Sequence, residues 1–551
     1  MPDSKSKAKE KKGANVLVNS NSIVLGSTAT VIIFVITAAV LANLWRVGPL
    51  YMEPIYGNVF AWRHFESFFF TSCIMGAVTG LSLGAKQRKA SKRTLTYAFD
   101  LAACILAISP LTVHRMFAES GLLGPWWGPH VTQLFLSYST AFLLTLGAFS
   151  LPILRNLGAV VPAALAWWLV QNLNIVGMTC TRIVASAAGL GLLTFNIKFA
   201  AIRRDAPRKV TYYMRVCLSF IPHVIVLSGV LYSSLKFPQC QVGVTKEHNP
   251  AGSPYDVLYR NESLTGWLTV VDELEPRNIR VMRSGHSLIG GMYRDTMDSV
   301  YGCFYFLEAV RLVENRKISD KETALQIGLG IGIASKGLIE QDVEVDVVEI
   351  DAAVYDAARR YFEFPEPRAA YIEDGRKFIE RTPNQTYDYV LHDVFTGGSV
   401  PASLFSVEAL QEMKRTLKED GVLALNFVGF ESSTKITGLQ LVANTIKHVF
   451  EHVLCFREGP SQGEDQVQNM VFFASRKPIS FRSPTYDDFL ESGMRQHMLT
   501  EFKNWAVDIK FNTSQVITDR DNPLPALQLG SAYEHWRVMR ENFPISFWLN
   551  Y

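Results

Sequence analysis

Three acidic side chains, Glu349, Asp374 and Asp393, each stand at the end of an apolar run, and a glycine turn with Gly328, Gly330 and Gly332 precedes them. A carboxylate about 20 residues beyond such a turn can accept both hydroxyls of a ribose, while the glycines let backbone N–H groups approach a ligand closely. The pattern points to nucleoside binding. A glycine turn alone is a weak signal. Acidic residues at successive strand ends strengthen it, because open α/β sheets bind ligands outside the carboxyl ends of their strands. Asp393 follows Tyr387-Asp388-Tyr389-Val390-Leu391-His392, and its side chain is expected at the sheet's carboxyl edge beside the nucleoside. Its alternative is to cap the next helix, a position that favours Asp. His392 is expected on the opposite face of the strand, with no assigned role.

These groups meet only if the runs are parallel strands with a common carboxyl edge. The apolar segment 324–332 reads as a buried strand that breaks into a helix. Segments 345–351, 371–375 and 387–393 read as the next strands, and 421–427, 451–456 and 468–474 bring the count to about seven. Before them, 256–260, 266–271, 279–283 and 287–291 alternate and are separated by turn residues, which predicts hairpins. A helix carrying Asp298 and Tyr301 towards Leu312 is expected next.

The chain has 551 residues, room for about three domains. Its mean hydropathy of +0.11 is high for a soluble protein, and the excess lies before residue 235. Runs of the length that spans a bilayer, about 20 residues, occur near 23–45, 66–85, 94–114, 130–152, 157–176, 183–202 and 214–234. They predict an integral, multi-pass membrane protein. A net charge of +3 is too small to argue for nucleic acid. The seven cysteines show no CxxC or Cys/His spacing, so neither a metal site nor a disulfide framework is expected.

Basic residues gather in the N-terminal tail, at 86–93, at Arg155, and at Arg203-Arg204 with Arg208-Lys209. All lie on one side, the cytosolic one, if six spans precede the last basic loop. A seventh span would carry everything after residue 235 across, away from the compartment that makes adenosyl donors. The alternatives are that the segment interrupted by Pro222 and His223 does not cross, or that an earlier one does not. Sequons at Asn261, Asn384 and Asn512 leave the side open. Asp100 and Arg182, inside the spans, either line a polar path or staple helices together.

The order of hairpins, Asp298-x-x-Tyr301, glycine turn and acidic strand ends resembles the spermidine and spermine synthases, within the superfamily that also holds class I methyltransferases. Val516 to Leu524 resembles the terminal motif of membrane-fused members. The resemblance covers roughly 255–530. It implies a multi-span α-helical membrane domain followed by an α/β Rossmann-like domain with a small N-terminal β-hairpin domain. The expected limits are a disordered basic tail at 1–20, the membrane domain at 21–235, hairpins at 250–300, the Rossmann-like domain at 301–530 and a C-terminal tail at 531–551.

The resemblance also implies roles. Gly328, Gly330, Gly332, Glu349, Asp374 and Gly375 would hold the co-substrate, decarboxylated S-adenosylmethionine or S-adenosylmethionine, without a metal. Asp393 would orient an amine and take its proton, and Asp298 and Tyr301 would line the channel of that amine or polyamine. The expected partners are this substrate and the lipid bilayer, with no nucleic acid, and a homodimer is compatible. Three positions depart from the family pattern. Leu329 replaces a glycine, Ile331 stands where the family has an Asp that holds the aminopropyl ammonium, and Thr396 where it has a second carboxylate. A contact ion pair is worth about 4 kcal/mol at an effective dielectric near 20, so these losses weaken recognition of a dication. The leading expectation is aminopropyl transfer to an amine. Methyl transfer in the same pocket and a silent nucleoside- or polyamine-binding membrane protein are the alternatives.

Overall fold

The computed structural model describes residues 7–549 except 87, 152–159, 173–177, 205–209, 238–239, 241–253, 315–320, 396, 431–436, 462, 464–465 and 510–513. Arg155, Arg208, Lys209, Thr396 and the sequon at Asn512 thus lie outside the described residues. The chain divides into two compact units, Met1–Met52 with Ala61–Val244, and Glu53–Phe60 with Thr245–Tyr551.

The N-terminal part is helical: α1 (Lys7–Tyr56), α2 (Asn58–Trp62), α3 (Phe65–Lys86), α4 (Arg88–Ala118), α5 (Ser120–Gln133), α6 (Ser139–Phe149), α7 (Val160–Asn172), α8 (Thr179–Arg204), α9 (Val210–Ser219) and α10 (Ile221–Lys236). Helix α1 starts inside the stretch read as a disordered tail. Among the described residues, six stretches are long and apolar enough to cross a membrane: Ala29–Tyr56, Asn58–Ala85, Arg93–Ala118, Ser120–Phe149, Thr179–Phe199 and Val216–Lys236. The remaining expected run, 157–176, holds α7, which is described over the 13 residues Val160–Asn172.

Gly76, Gly80 and Gly84 recur every fourth residue on one face of α3. A Cβ on them would lie 2.3 Å from Phe142 O, 2.5 Å from Leu146 O and 2.5 Å from Ser150 O. Helices α3 and α6 therefore run parallel with their backbones in contact, which small residues permit. Asp100 pairs with Lys198, whose Nζ also donates to Ser219 O at 2.6 Å. Arg182 Nε donates to Asn43 Oδ1 at 2.8 Å. Each joins separate helices, as the stapling alternative requires. Cys180 and Cys240 form a disulfide, contrary to the cysteine spacing. Sixty residues separate them, with no motif to mark the pair.

In the C-terminal unit, β1 (Tyr255–Ser263), β2 (Gly266–Glu273), β3 (Ile279–Ser284) and β4 (Ser287–Tyr293) form an antiparallel sheet in sequence order. Then come α11 (Cys303–Glu308), β5 (Thr323–Ile327), α12 (Ile333–Glu340), β6 (Glu344–Glu349), α13 (Ala352–Tyr361), β7 (Ala369–Ile372), α14 (Gly375–Arg381), β8 (Tyr387–His392), α15 (Val407–Thr416), β9 (Leu417–Phe430), α16 (Gly438–Val449), β10 (His452–Arg457) and β11 (Val467–Ser475). Helices α17 (Gly493–Glu501), α18 (Leu524–Leu527), α19 (Leu529–Asn542) and α20 (Ile545–Leu549) complete the chain. The expected C-terminal tail is thus largely helix. Asp298 and Tyr301 precede α11 instead of riding on it.

The large sheet has the order β10-β11-β9-β8-β5-β6-β7, with β5 to β9 parallel and β11 antiparallel to both its neighbours. Alternate residues feed two cores, one on each face. Ala324 and Tyr389 join Phe306, Leu338 and Ala357 on one side, while Leu325 and Val390 join Phe378, Leu410 and Ile446 on the other. Burial on both faces is why these strands read as continuous apolar runs.

Candidate active site

Strand β5 lies where the strand order reverses, with β6 on one side and β8 on the other. A crevice forms there by topology alone. Gly328 leaves β5 with φ +78, and a Cβ on it would sit 2.2 Å from Asp393 O. Only glycine lets the two strand ends approach so closely. The crevice opens into a cavity of about 570 Å³. Gly328, Gly330, Glu349, Asp374, Gly375, Asp393 and Tyr301 all line it. Gly332, at φ +83, is instead the N-cap of α12. Asp298 lies outside the lining: its carboxylate accepts from Tyr305 Oη at 3.3 Å and from Ser492 Oγ. That anchorage ties the segment before α11 to the cap of α17, and it replaces the channel role expected for Asp298.

Glu349 is nearly buried, and its two oxygens accept from Leu329 N at 2.8 Å and Asp351 N at 3.0 Å. Burial nevertheless raises its pKa to about 6. Asp374 caps α14, accepting from Arg376 N at 2.8 Å. Glu373 also lines the cavity and pairs with Arg381. Asp351 accepts from Ser263 Oγ and Thr265 Oγ1, both at 2.6 Å, and so fastens the small sheet to the start of α13.

Asp393 differs from these acids. Burial raises its pKa to about 6, and the hydrogen bond it accepts from Asn426 Nδ2 at 3.0 Å offsets this in part. The pairing follows from register, since His392 stands opposite Leu425 across β8 and β9. Its carboxylate is therefore a base that still titrates near neutrality. His392 is fully buried, with its ring edge-on to Phe405 at 4.7 Å. Burial lowers its pKa to about 4, so it stays neutral.

Four lining residues escaped the sequence reading: Asn58, Asn426, Asn469 and His535. Asn469 Nδ2 donates to Glu458 Oε2 at 2.6 Å. Asn426 left a faint signal, a lone amide within the apolar run Val422 to Phe427. The others left none.

Residues 308–455 match the family model described as spermine/spermidine synthase domain. This chain carries a domain of the spermidine/spermine synthase family. It is 37% identical over 331 residues to the N-terminal histidine N-methyltransferase of Emericella nidulans, covering 54% of this chain and 58% of that one. It is 35% identical over 141 residues to a polyamine aminopropyltransferase of Vibrio vulnificus, covering 24% of this chain and 46% of that one. The chain thus spans about half the length of the curated relatives it matches. A probable spermidine synthase from Corynebacterium glutamicum superposes with a TM-score of 0.37 at 16% identity, over 46% of this chain and 96% of that one. Both curated relatives are transferases by name.

Proposed function

We propose that the chain alkylates a nitrogen of its acceptor from an S-adenosylmethionine-type donor, and that the group transferred is methyl. The observation that carries this is the fate of the acidic groups. Of the four carboxylates lining the cavity, Glu349 and Asp374 hold backbone N–H groups and Glu373 pairs with Arg381, which leaves Asp393 for an acceptor nitrogen. Ile331, where an ammonium-holding Asp would stand, is buried against the small sheet instead. An aminopropyl donor and a diamine together bring more positive charge than one carboxylate balances. In the proposed step the nitrogen lone pair attacks the methyl carbon and the C–S bond breaks. S-adenosylhomocysteine leaves as a neutral thioether, and Asp393 receives the proton of the alkylated nitrogen. The relative named for an N-terminal histidine suggests a peptide terminus as acceptor.

Aminopropyl transfer is the second reading. Among the described residues the lining contains no Lys or Arg to meet a methionine carboxylate, which a decarboxylated donor lacks, and the family match favours it as well. Purified full-length protein given S-adenosylmethionine and the tripeptide His-Gly-Gly is expected to release S-adenosylhomocysteine. Release of methylthioadenosine from decarboxylated donor and putrescine, with no reaction of the tripeptide, would overturn methyl transfer.

We propose further that the six apolar helices and α7 anchor the chain by seven crossings. Ser150 lies beside Gly84, at the far end of α3 from the turn at Gly57. Tyr51 Oη, just before that turn, contacts Cys180 Sγ at 3.7 Å. From Phe65 to Gly84 a helix rises about 28 Å, so Ser150 and Cys180 lie at opposite ends of α3, which supports reading α7 as a further crossing. Cys240, bonded to Cys180, leaves the chain on the Tyr51 side.

A further inference from the structure

Glu53–Phe60, the turn between the first two apolar helices, belongs to the C-terminal unit although the residues on either side of it do not. Trp536 Nε1 on α19 donates to Ile55 O at 2.9 Å. The loop after Asp393 is held between these two elements at consecutive glycines. A Cβ on Gly397 would lie 2.4 Å from Asn58 Oδ1, and one on Gly398 would lie 2.5 Å from Ala532 Cα and 2.9 Å from His535 Cβ. Both glycines have positive φ, +62 and +83. Asn58 and His535 are thus brought by separate segments to the loop that follows the proposed base, and both line the cavity.

Their polar atoms are left for a ligand. Asn58 Oδ1 accepts from Val59 N at 2.7 Å, and among the described residues no group accepts from its Nδ2. His535 Nε2 is buried without a protein partner, and the edge of the ring contact with Phe395, at 5.3 Å, fixes its plane. Burial lowers the pKa of His535 to about 4, so the ring is neutral. An amide N–H can donate to a carbonyl, and a neutral ring nitrogen can accept from an N–H.

We propose that Asn58 and His535 bind the acceptor by an uncharged amide group next to its reacting nitrogen. The inference rests on the nitrogen-alkylating reading of the cavity and adds the acceptor class. A peptide backbone offers the carbonyl and the N–H together. A protonated polyamine offers only donors, which would set its N–H groups against Asn58 Nδ2. The first interhelical turn, Glu53–Phe60, is then part of the acceptor site.

The test uses the full chain in detergent, with Asn58→Cys and, separately, His535→Cys, modified by a methanethiosulfonate reagent and followed at the substituted position by peptide mapping. Each variant is first checked for S-adenosylhomocysteine binding. His-Gly-Gly present at about ten times its dissociation constant should slow modification about tenfold, and spermidine should not. Unchanged rates with the tripeptide at both positions, or protection by spermidine instead, would overturn the proposal. Turnover of the tripeptide by the unsubstituted protein is measured alongside. Protection without turnover refutes the function and keeps the site, while turnover without protection does the reverse.

Discussion

Asp393→Asn should make the protein more stable and less active at once. Burial moves this carboxyl from its ordinary 3.8 to about 6. Between those values the folded chain keeps a proton that the unfolded chain has released, so stability falls as pH rises through this window and levels off above it. At 1.36 kcal/mol per tenfold, the gap corresponds to about 3 kcal/mol at pH 7. Asn has the same shape and can still accept from Asn426 Nδ2, but carries no charge to bury. The variant should therefore melt higher than the parent at pH 7, with the difference vanishing below pH 4. Turnover should drop by about 10²-fold or more, because no base remains at the reacting nitrogen. The donor's dissociation constant should hardly change, since the proposed nucleoside contacts, Glu349 and the glycine turn, are untouched. For a peptide α-amino group with a pKa of about 8, the loss should shrink as pH rises past that value, because the substrate arrives already deprotonated. Product release, calorimetric titration with S-adenosylhomocysteine and thermal scans from pH 4 to 8 measure all three. Parental turnover at pH 7 would refute the base, and a lower melting temperature there would refute the burial argument.

Glu349→Ala removes two charge-assisted acceptors at once and should weaken S-adenosylhomocysteine binding by about 2 kcal/mol or more; an unchanged dissociation constant with the fold intact would make Glu349 a clasp for Leu329 and Asp351 only. A reporter fused after Tyr551 should lie on the non-cytosolic side in intact cells, as seven crossings and the Cys180–Cys240 bond require. A cytosolic reporter would sink that topology.

The donor half of the site was legible because it is local. Between Thr323 and Asp393 each strand end carries its functional residue within a short apolar run, and parallel strands buried on both faces advertise themselves by composition. The acceptor half is assembled from single residues in distant segments. Asn58 comes from a helix turn, Asn426 and Asn469 from neighbouring strands, and His535 from a helix in what reads as a tail. None has a periodic or motif neighbour, so no local pattern could nominate it. Asp298 shows the reverse error. Its spacing to Tyr301 matched a motif, but Tyr305 and Ser492 engage the carboxylate away from the cavity.

Ile331 has a structural as well as a chemical consequence. A Cβ on Gly290 of β4 would lie 2.6 Å from Ile331 Cγ1, so the glycine turn presses an apolar peg directly onto the small sheet. Asp351 fastens the same sheet a second time through Ser263 and Thr265. The sheet is thus fixed at two points, to the glycine turn by packing and to the start of α13 by charge-assisted hydrogen bonds. A roof held in this way has little freedom to reshape itself around different acceptors. The proposed acceptor contacts, Asn58 and His535, come instead from the first interhelical turn and from α19, so discrimination among acceptors would rest on those two elements.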